Sequence, residues 1–437
     1  MAISDFTIIR RSMTARLFST VTTSLTVCVA VALMLVLLSM RDSGREAFKR
    51  GSGNMQLLIS RDASPLVAVL NGVFYANAPR AYIEWGKFEQ IRDGFPWEFA
   101  IPTQLGDSYR GMPVLATTEE FFTLFWPTVQ APWRLAQGRF FEKSFEVVVG
   151  AQAARLSGLR VGDEIFLTHG LLGGTSGGGG GAGTESAAPH VHKEFAYRVV
   201  GILEPTGSPH DRALFTDLIS SWILHAHDRR LAESGGSVSM TTEADLLEED
   251  RKITGIYAAV MGRGGGDLSA MLPVVFDQLR RDTSLTVANP ADQIDKLFRI
   301  VANIDDILLA MAAVVMVSSG ISIMIALYNS MEQRRRQIAI LRVLGCSRGR
   351  IFGLVLTESV MLGLIGAAAG LVVSAVGVQI VAAVMKARLG LLIEPWVGLE
   401  WAVVVAAGTV VLAGMAGIVP AVMAYRTSVA RSLRPLG

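Results

Sequence analysis

The sequence predicts an α-helical membrane protein with four transmembrane helices, arranged one plus three around a large extracytoplasmic α+β domain. Three observations predict it: four long apolar runs, a mixed segment between the first and second of them, and an uneven placement of arginine in the short loops. The chain has 437 residues, of which 51% are hydrophobic. The apolar residues collect in Val21–Met40, Ile307–Tyr328, Phe352–Val384 and Trp401–Val422. Each run is long enough to cross a hydrocarbon core of ~30 Å at ~1.5 Å rise per residue. An unpaired backbone amide is costly in lipid, so each run is expected to be a helix.

The amino end reads as a retained anchor. Arg10, Arg11 and Arg16 precede the first run, which leads into Met40-Arg41-Asp42 with no small-residue cleavage site. Loop charge sets the orientation, because basic short loops stay on the cytoplasmic side. Residues 331–350 carry Arg334, Arg335, Arg336, Arg342, Arg348 and Arg350 against the single acid Glu332, and the tail adds Arg426, Arg431 and Arg434. The connection after the third run balances Lys386 and Arg388 with Glu394 and Glu400. Both termini are therefore expected inside, and residues 41–301 outside. A net charge of +2, with no basic stripe among aromatics, gives no sign of nucleic-acid binding. The two cysteines, Cys28 in a span and Cys346 in a loop, form no disulfide framework.

The domain outside is expected to mix strands and helices. Phe145–Gly150 reads as a buried strand, Ala151–Leu156 as a helical turn, and Glu164–Thr168 and Glu194–Leu203 as strands. Ile253–Met261, Leu268–Arg281 and Ser284–Val287 spell strand, helix, strand. From Ala291 one long helix is expected to enter the second span as a stalk. Its apolar stripe comprises Ile294, Leu297, Phe298, Val301, Ile304 and Leu308, and the extension 41–50 is its expected packing partner.

An insertion at 169–193 contains five consecutive glycines, Gly177–Gly181, which read as a flexible loop. All six histidines lie in or near it. Imidazole is the commonest metal-binding side chain, so His190, His192, His225 and His227 are candidate ligands for zinc or another divalent metal. A solvated polar loop accounts for the same clustering.

Residues 331–344 form a basic helix by propensity, with Ile338, Leu341 and Leu344 on an apolar face, Gly345 as its stop and Ser347 as the next cap. Such a helix suits either anionic lipid or a groove on a soluble partner. Small residues at Gly366, Gly370 and Ser374 in the third span, and Gly414 and Gly417 in the fourth, allow close helix approach. Glu358 is a carboxylate just inside the third span.

The stretch Glu332–Ser347 resembles the signature of the MacB, FtsX and LolC/LolE permeases, continuing into Ile351, Phe352, Glu358 and the glycine-rich third span. Gln337 stands where that signature has an acid, and Cys346 where it has a small alanine. Gly138–Phe141, Val147–Gly150, Gly158–Asp163 and Val199–Leu203 resemble the periplasmic core of the same mechanotransmission family. The resemblance implies domains at 1–40 (amino-terminal helix and first span), 41–301 (extracytoplasmic) and 302–437 (FtsX-like permease). It further implies a multi-pass protein of the inner (plasma) membrane, dimeric with itself or with a second permease and surrounded by membrane lipid. Glu332, Arg334, Arg335, Arg336, Ile338, Leu341, Arg342, Leu344 and Gly345 would form the coupling helix for a LolD/MacB-type cytoplasmic ATPase, which binds the ATP and magnesium. A periplasmic adaptor belongs to some such systems.

No Walker motif occurs in these residues, since Gly86-Lys87 is followed by Phe88, so the ATPase is expected on a separate protein, this chain being no enzyme and binding no cofactor of its own. The expected function is ATP-driven movement of the outer domain for export or extraction of an envelope substrate. The competing reading is a non-transporting sensor or regulator of an envelope enzyme.

Overall fold

The computed structural model describes residues 5–79, 81–129, 131–169, 192–234, 238–262, 270–389 and 398–426. Side chains at 44–49, 169, 302, 332–333, 335–337 and 386–389 lie outside that description. The chain divides into two compact units.

The first unit holds residues 1–44, 300–384 and 393–437. Helix α1 (Asp5–Thr14) precedes α2 (Leu17–Arg50), whose stretch Leu17–Ser43 is long and apolar enough to cross a membrane. The other three apolar helices come after the second unit in sequence. Among the described residues, four helices are long and apolar enough to span a membrane, in the predicted one-plus-three order.

The second unit, residues 45–299 with 385–392, is the α+β domain. In chain order it contains β1 (Leu57–Ser60), α3 (Pro65–Gly72), β2 (Ile83–Glu84), α4 (Trp85–Gly94), β3 (Trp97–Tyr109), β4 (Met112–Thr117), α5 (Glu120–Thr123) and β5 (Leu135–Gly138). Next come β6 (Glu146–Val149), α6 (Ala151–Ser157), β7 (Glu164–Ile165), β8 (Thr168–His169), β9 (Tyr197–Leu203), β10 (Leu214–Asp217) and α7 (Leu218–Ser234). It ends with β11 (Lys252–Ile253), β12 (Gly255–Val260), α8 (Leu272–Arg280) and β13 (Thr286–Ala288).

The main sheet runs β13-β1-β12-β3-β4-β10-β6-β9-β5. Strand β3 is its spine. It sends Phe99, Ile101 and Leu105 into one core and Trp97 and Ala100 into another. The first core is aromatic: Phe121, Phe125, Trp133, Phe215 and Tyr257 pack around a buried His210. Fully burying each such ring contributes roughly 1.5–3 kcal/mol. His210 stays neutral, because burial pulls its pKa down to about 3, and its Nδ1 meets the Tyr75 hydroxyl at 2.5 Å.

Three expectations change here. The single strand predicted over Glu164–Thr168 is split, with β7 pairing with β9 and β8 with β3. Residues 253–261 likewise divide between β11, paired with β2, and β12, paired with β1 and β3. In the stalk, Ile294 and Phe298 belong to the aromatic core of the domain. They are followed by exposed Ile300 and Ile304. Residues 170–191, which hold the glycine run and His190, lie outside the described residues.

Helices α9 (Pro290–Val343), α10 (Arg348–Leu389) and α11 (Leu399–Arg426) complete the chain. The 331–344 segment is therefore no separate helix. Residues 331–343 are the last part of the 54-residue α9, and Leu344 begins the turn after it.

Candidate functional site

The site is built at one end of the first unit, where α9 reverses into α10. Gly345 adopts φ +95° and puts the chain into the left-handed region. There the Gly345 amide bonds the Arg342 carbonyl at 3.1 Å, and the Cys346 amide bonds the Leu341 carbonyl at 3.0 Å. This pair of bonds satisfies the last carbonyls of α9, and glycine is the residue that reaches the conformation without a Cβ penalty. Ser347 then caps α10, its Oγ accepting from the Arg350 amide at 3.3 Å.

Four side chains converge beside the reversal. Glu358 of α10 accepts from Arg334 Nη1 at 3.3 Å through one oxygen and from Ser12 Oγ at 2.6 Å through the other. Arg334 also donates to Ser12 Oγ, so α1, α9 and α10 share one polar knot. Arg16 Nη2 donates to the Ser330 carbonyl at 3.1 Å. Burial, then the like charge of Arg334, lower the pKa of Arg16, while Glu358 raises it. Outside the knot, Asp5 pairs with exposed Arg350 at 2.7 Å.

The predicted coupling residues divide between two environments. The side chains of Glu332, Arg335 and Arg336 lie outside the described residues. Arg334 is turned inward, with 18% of its side chain exposed. Ile338 is buried and Leu341 half-buried, whereas Leu344 is 78% exposed and extends an apolar patch with Ile340 and Val343. The predicted Ile338–Leu341–Leu344 face is thus split. Its inner part packs on α10 and α11, beside Ile351, Val355, Ala421 and Ala424. Sequence reading missed α1 as a partner. The signal was there in Ile9 and Met13, one turn apart and both buried.

The small residues set helix spacing within the chain. A Cβ at Gly366 would stand 2.5 Å from Val27 Cβ, and one at Gly370 2.7 Å from Val31 Cβ, so α10 lies tight against α2. A Cβ at Gly417 would meet Ser359 at 2.6 Å, which holds α11 against α10, while Gly414 has room, its nearest neighbour being Val360 at 3.8 Å. Ser374 is buried and returns its hydroxyl to the Leu371 carbonyl at 2.8 Å.

The described histidines do not converge on a common point. His192 faces Asp228 at 3.6 Å, His225 faces Asp107 at 3.8 Å, and His227 Nδ1 meets Thr241 Oγ1 at 2.9 Å. His225 and His227 are two apart on α7, and side chains at that spacing leave a helix on different faces. Among the described residues, no group of three or more His, Cys, Asp or Glu is placed to hold a metal.

One span-length helix, a large α+β domain and three further such helices carry two family matches, and those matches identify an ABC transporter permease. The MacB-like periplasmic core domain family matches residues 20–248, and the FtsX-like permease C-terminal family matches residues 309–429. The macrolide export ATP-binding/permease protein MacB of Nitrobacter winogradskyi is 26% identical over 281 residues, 64% of this chain. That alignment spans only 38% of the relative's length. A crystal structure of the extracellular domain of a noncanonic ABC-type transporter, YknZ, from Gram-positive bacteria covers 53% of this chain and 98% of its own, at 9% identity and a TM-score of 0.26. The chain belongs to the MacB/FtsX-like family of ABC transporter permeases.

Proposed function

We propose that this permease takes up force from a separate cytoplasmic ATPase at the end of α9 and passes it to the α+β domain on the other side of the membrane. The observation that carries this is the patch of Ile340, Val343 and Leu344, which are 46%, 64% and 78% exposed at the reversal. Three large apolar side chains at the end of a helix, beyond Met331 where its apolar stretch closes, suit insertion into a groove on a soluble partner. The same helix is unbroken back to Pro290, so a push on its end is carried along backbone hydrogen bonds. Arg334, Ser12 and Glu358 tie that end to α10 and α1, making the receiving surface one body. On this reading both termini are cytoplasmic, the functional unit is a dimer, and the cargo is an envelope substrate exported or extracted by the moving domain.

The test is purification of the tagged chain from its native membranes, with nucleotide hydrolysis measured on the product. A hydrolase bearing a Walker motif is expected to accompany the wild type and to be lost from Val343→Asp/Leu344→Asp. Full retention by a folded double variant would remove the assignment of that surface.

A further inference from the structure

We propose that the crevice between α1, the end of α9 and the start of α10 binds the phosphate headgroup of an anionic phospholipid. The crevice holds about 410 Å³, within the range of small-molecule sites. Its walls are apolar: Ile8 and Ile9 on α1, Ile338 and Leu341 on α9, Leu354 and Val355 on α10. Its charged lining is Arg11, Arg16, Arg334 and Glu358.

Charge and position together select the occupant. Glu358 is engaged through both oxygens, by Arg334 and Ser12, and so is neutralised from within the knot. Arg11 and Arg16 then leave the lining with an excess of positive charge. A guanidinium carries five N–H donors, and Arg16 gives one of them to the Ser330 carbonyl. The crevice also lies toward the ends of three helices apolar enough to cross a membrane: Arg16 directly precedes the stretch Leu17–Ser43, Met331 closes that of α9, and Ile351 to Glu358 lie in the first three turns of Arg348–Met385. The ends of helices long and apolar enough to cross a bilayer lie among lipid headgroups. A headgroup phosphate among the arginines, with the first carbons of its chains along Leu354 and Val355, satisfies both kinds of lining at once.

Native mass spectrometry of the full chain in detergent tests this with dioleoylphosphatidylglycerol, dioleoylphosphatidylcholine and inorganic phosphate as separate probes. Phosphatidylglycerol is expected to be retained in preference to phosphatidylcholine. Arg11→Gln/Arg16→Gln is expected to weaken its binding roughly thirtyfold, and Arg11→Gln alone, which leaves the bond to Ser330 intact, about fivefold. Arg10→Gln, an exposed change on the same helix outside the crevice, is expected to change nothing. Equal retention of the two lipids, an Arg11→Gln/Arg16→Gln variant that binds like Arg10→Gln, or inorganic phosphate bound as tightly as phosphatidylglycerol would each overturn the proposal.

Discussion

Arg334, at the end of α9, holds Glu358 of α10 at 3.3 Å, and Ser12 of α1 bonds to both. With 18% and 11% of their side chains exposed, the two ions are neither a surface pair nor a fully buried one. Removing either partner is expected to cost about 1–3 kcal/mol, between the exposed and buried limits. Arg334→Gln/Glu358→Gln should cost less than the two single changes added together, by about 1 kcal/mol or more. Thermal unfolding of the four proteins in one detergent measures this, and strict additivity would show that the contact does not couple the helices.

Packing of α10 on α2 gives a contrast between glycines. Gly366→Ala and Gly370→Ala would each place a methyl within 2.7 Å of a valine side chain. Overpacking of that kind is expected to destabilise by about 1–3 kcal/mol. Gly414→Ala meets nothing closer than 3.8 Å and is expected to be neutral or to stabilise by up to about 1 kcal/mol. Melting temperatures of the three variants check the order, and a Gly414 variant less stable than the other two would contradict the spacing.

Acid should loosen the α+β domain through His210. Burial lowers its folded pKa to about 3, whereas an unfolded histidine titrates near ~6.5. Between those values the unfolded chain carries the extra proton, so stability is complete above ~6.5 and falls as the pH drops toward about 3. The slope from this one group is up to about 1.4 kcal/mol per pH unit. His210→Gln is expected to flatten the pH dependence of unfolding in that window, whatever it does to absolute stability. An unchanged slope would place the proton elsewhere.

What the sequence made legible follows from range. Four apolar runs declare themselves because lipid demands continuous apolar helix, and the Gly345 stop and Ser347 cap are set by bonds between residues a few positions apart. The docking of α1 was not legible: Ser12 and Glu358 are 346 positions apart, and nothing near either names the other. Periodicity showed that Ile338, Leu341 and Leu344 share a stripe, but not that Ile338 would be covered by Ile351 and Val355 while Leu344 stayed bare. In the α+β domain, β10 lies parallel to β4 and antiparallel to β6, a placement decided by the sheet and not by the residues of Leu214–Asp217. Residues 164–168 carry no alternation strong enough to resist being shared between two partners.

Force transfer of this kind requires that the end of α9 face the compartment where ATP is hydrolysed and the α+β domain face the other. Sided thiol labelling tests it most directly, with Leu344→Cys and Met240→Cys placed singly in a Cys28→Ser/Cys346→Ser chain; both positions are well exposed, at 78% and 62%. A membrane-impermeant maleimide is expected to label Met240→Cys with the cytoplasmic membrane sealed and Leu344→Cys only once that membrane is opened. Labelling of Leu344→Cys with the membrane sealed would put the exposed patch on the wrong side and contradict the account.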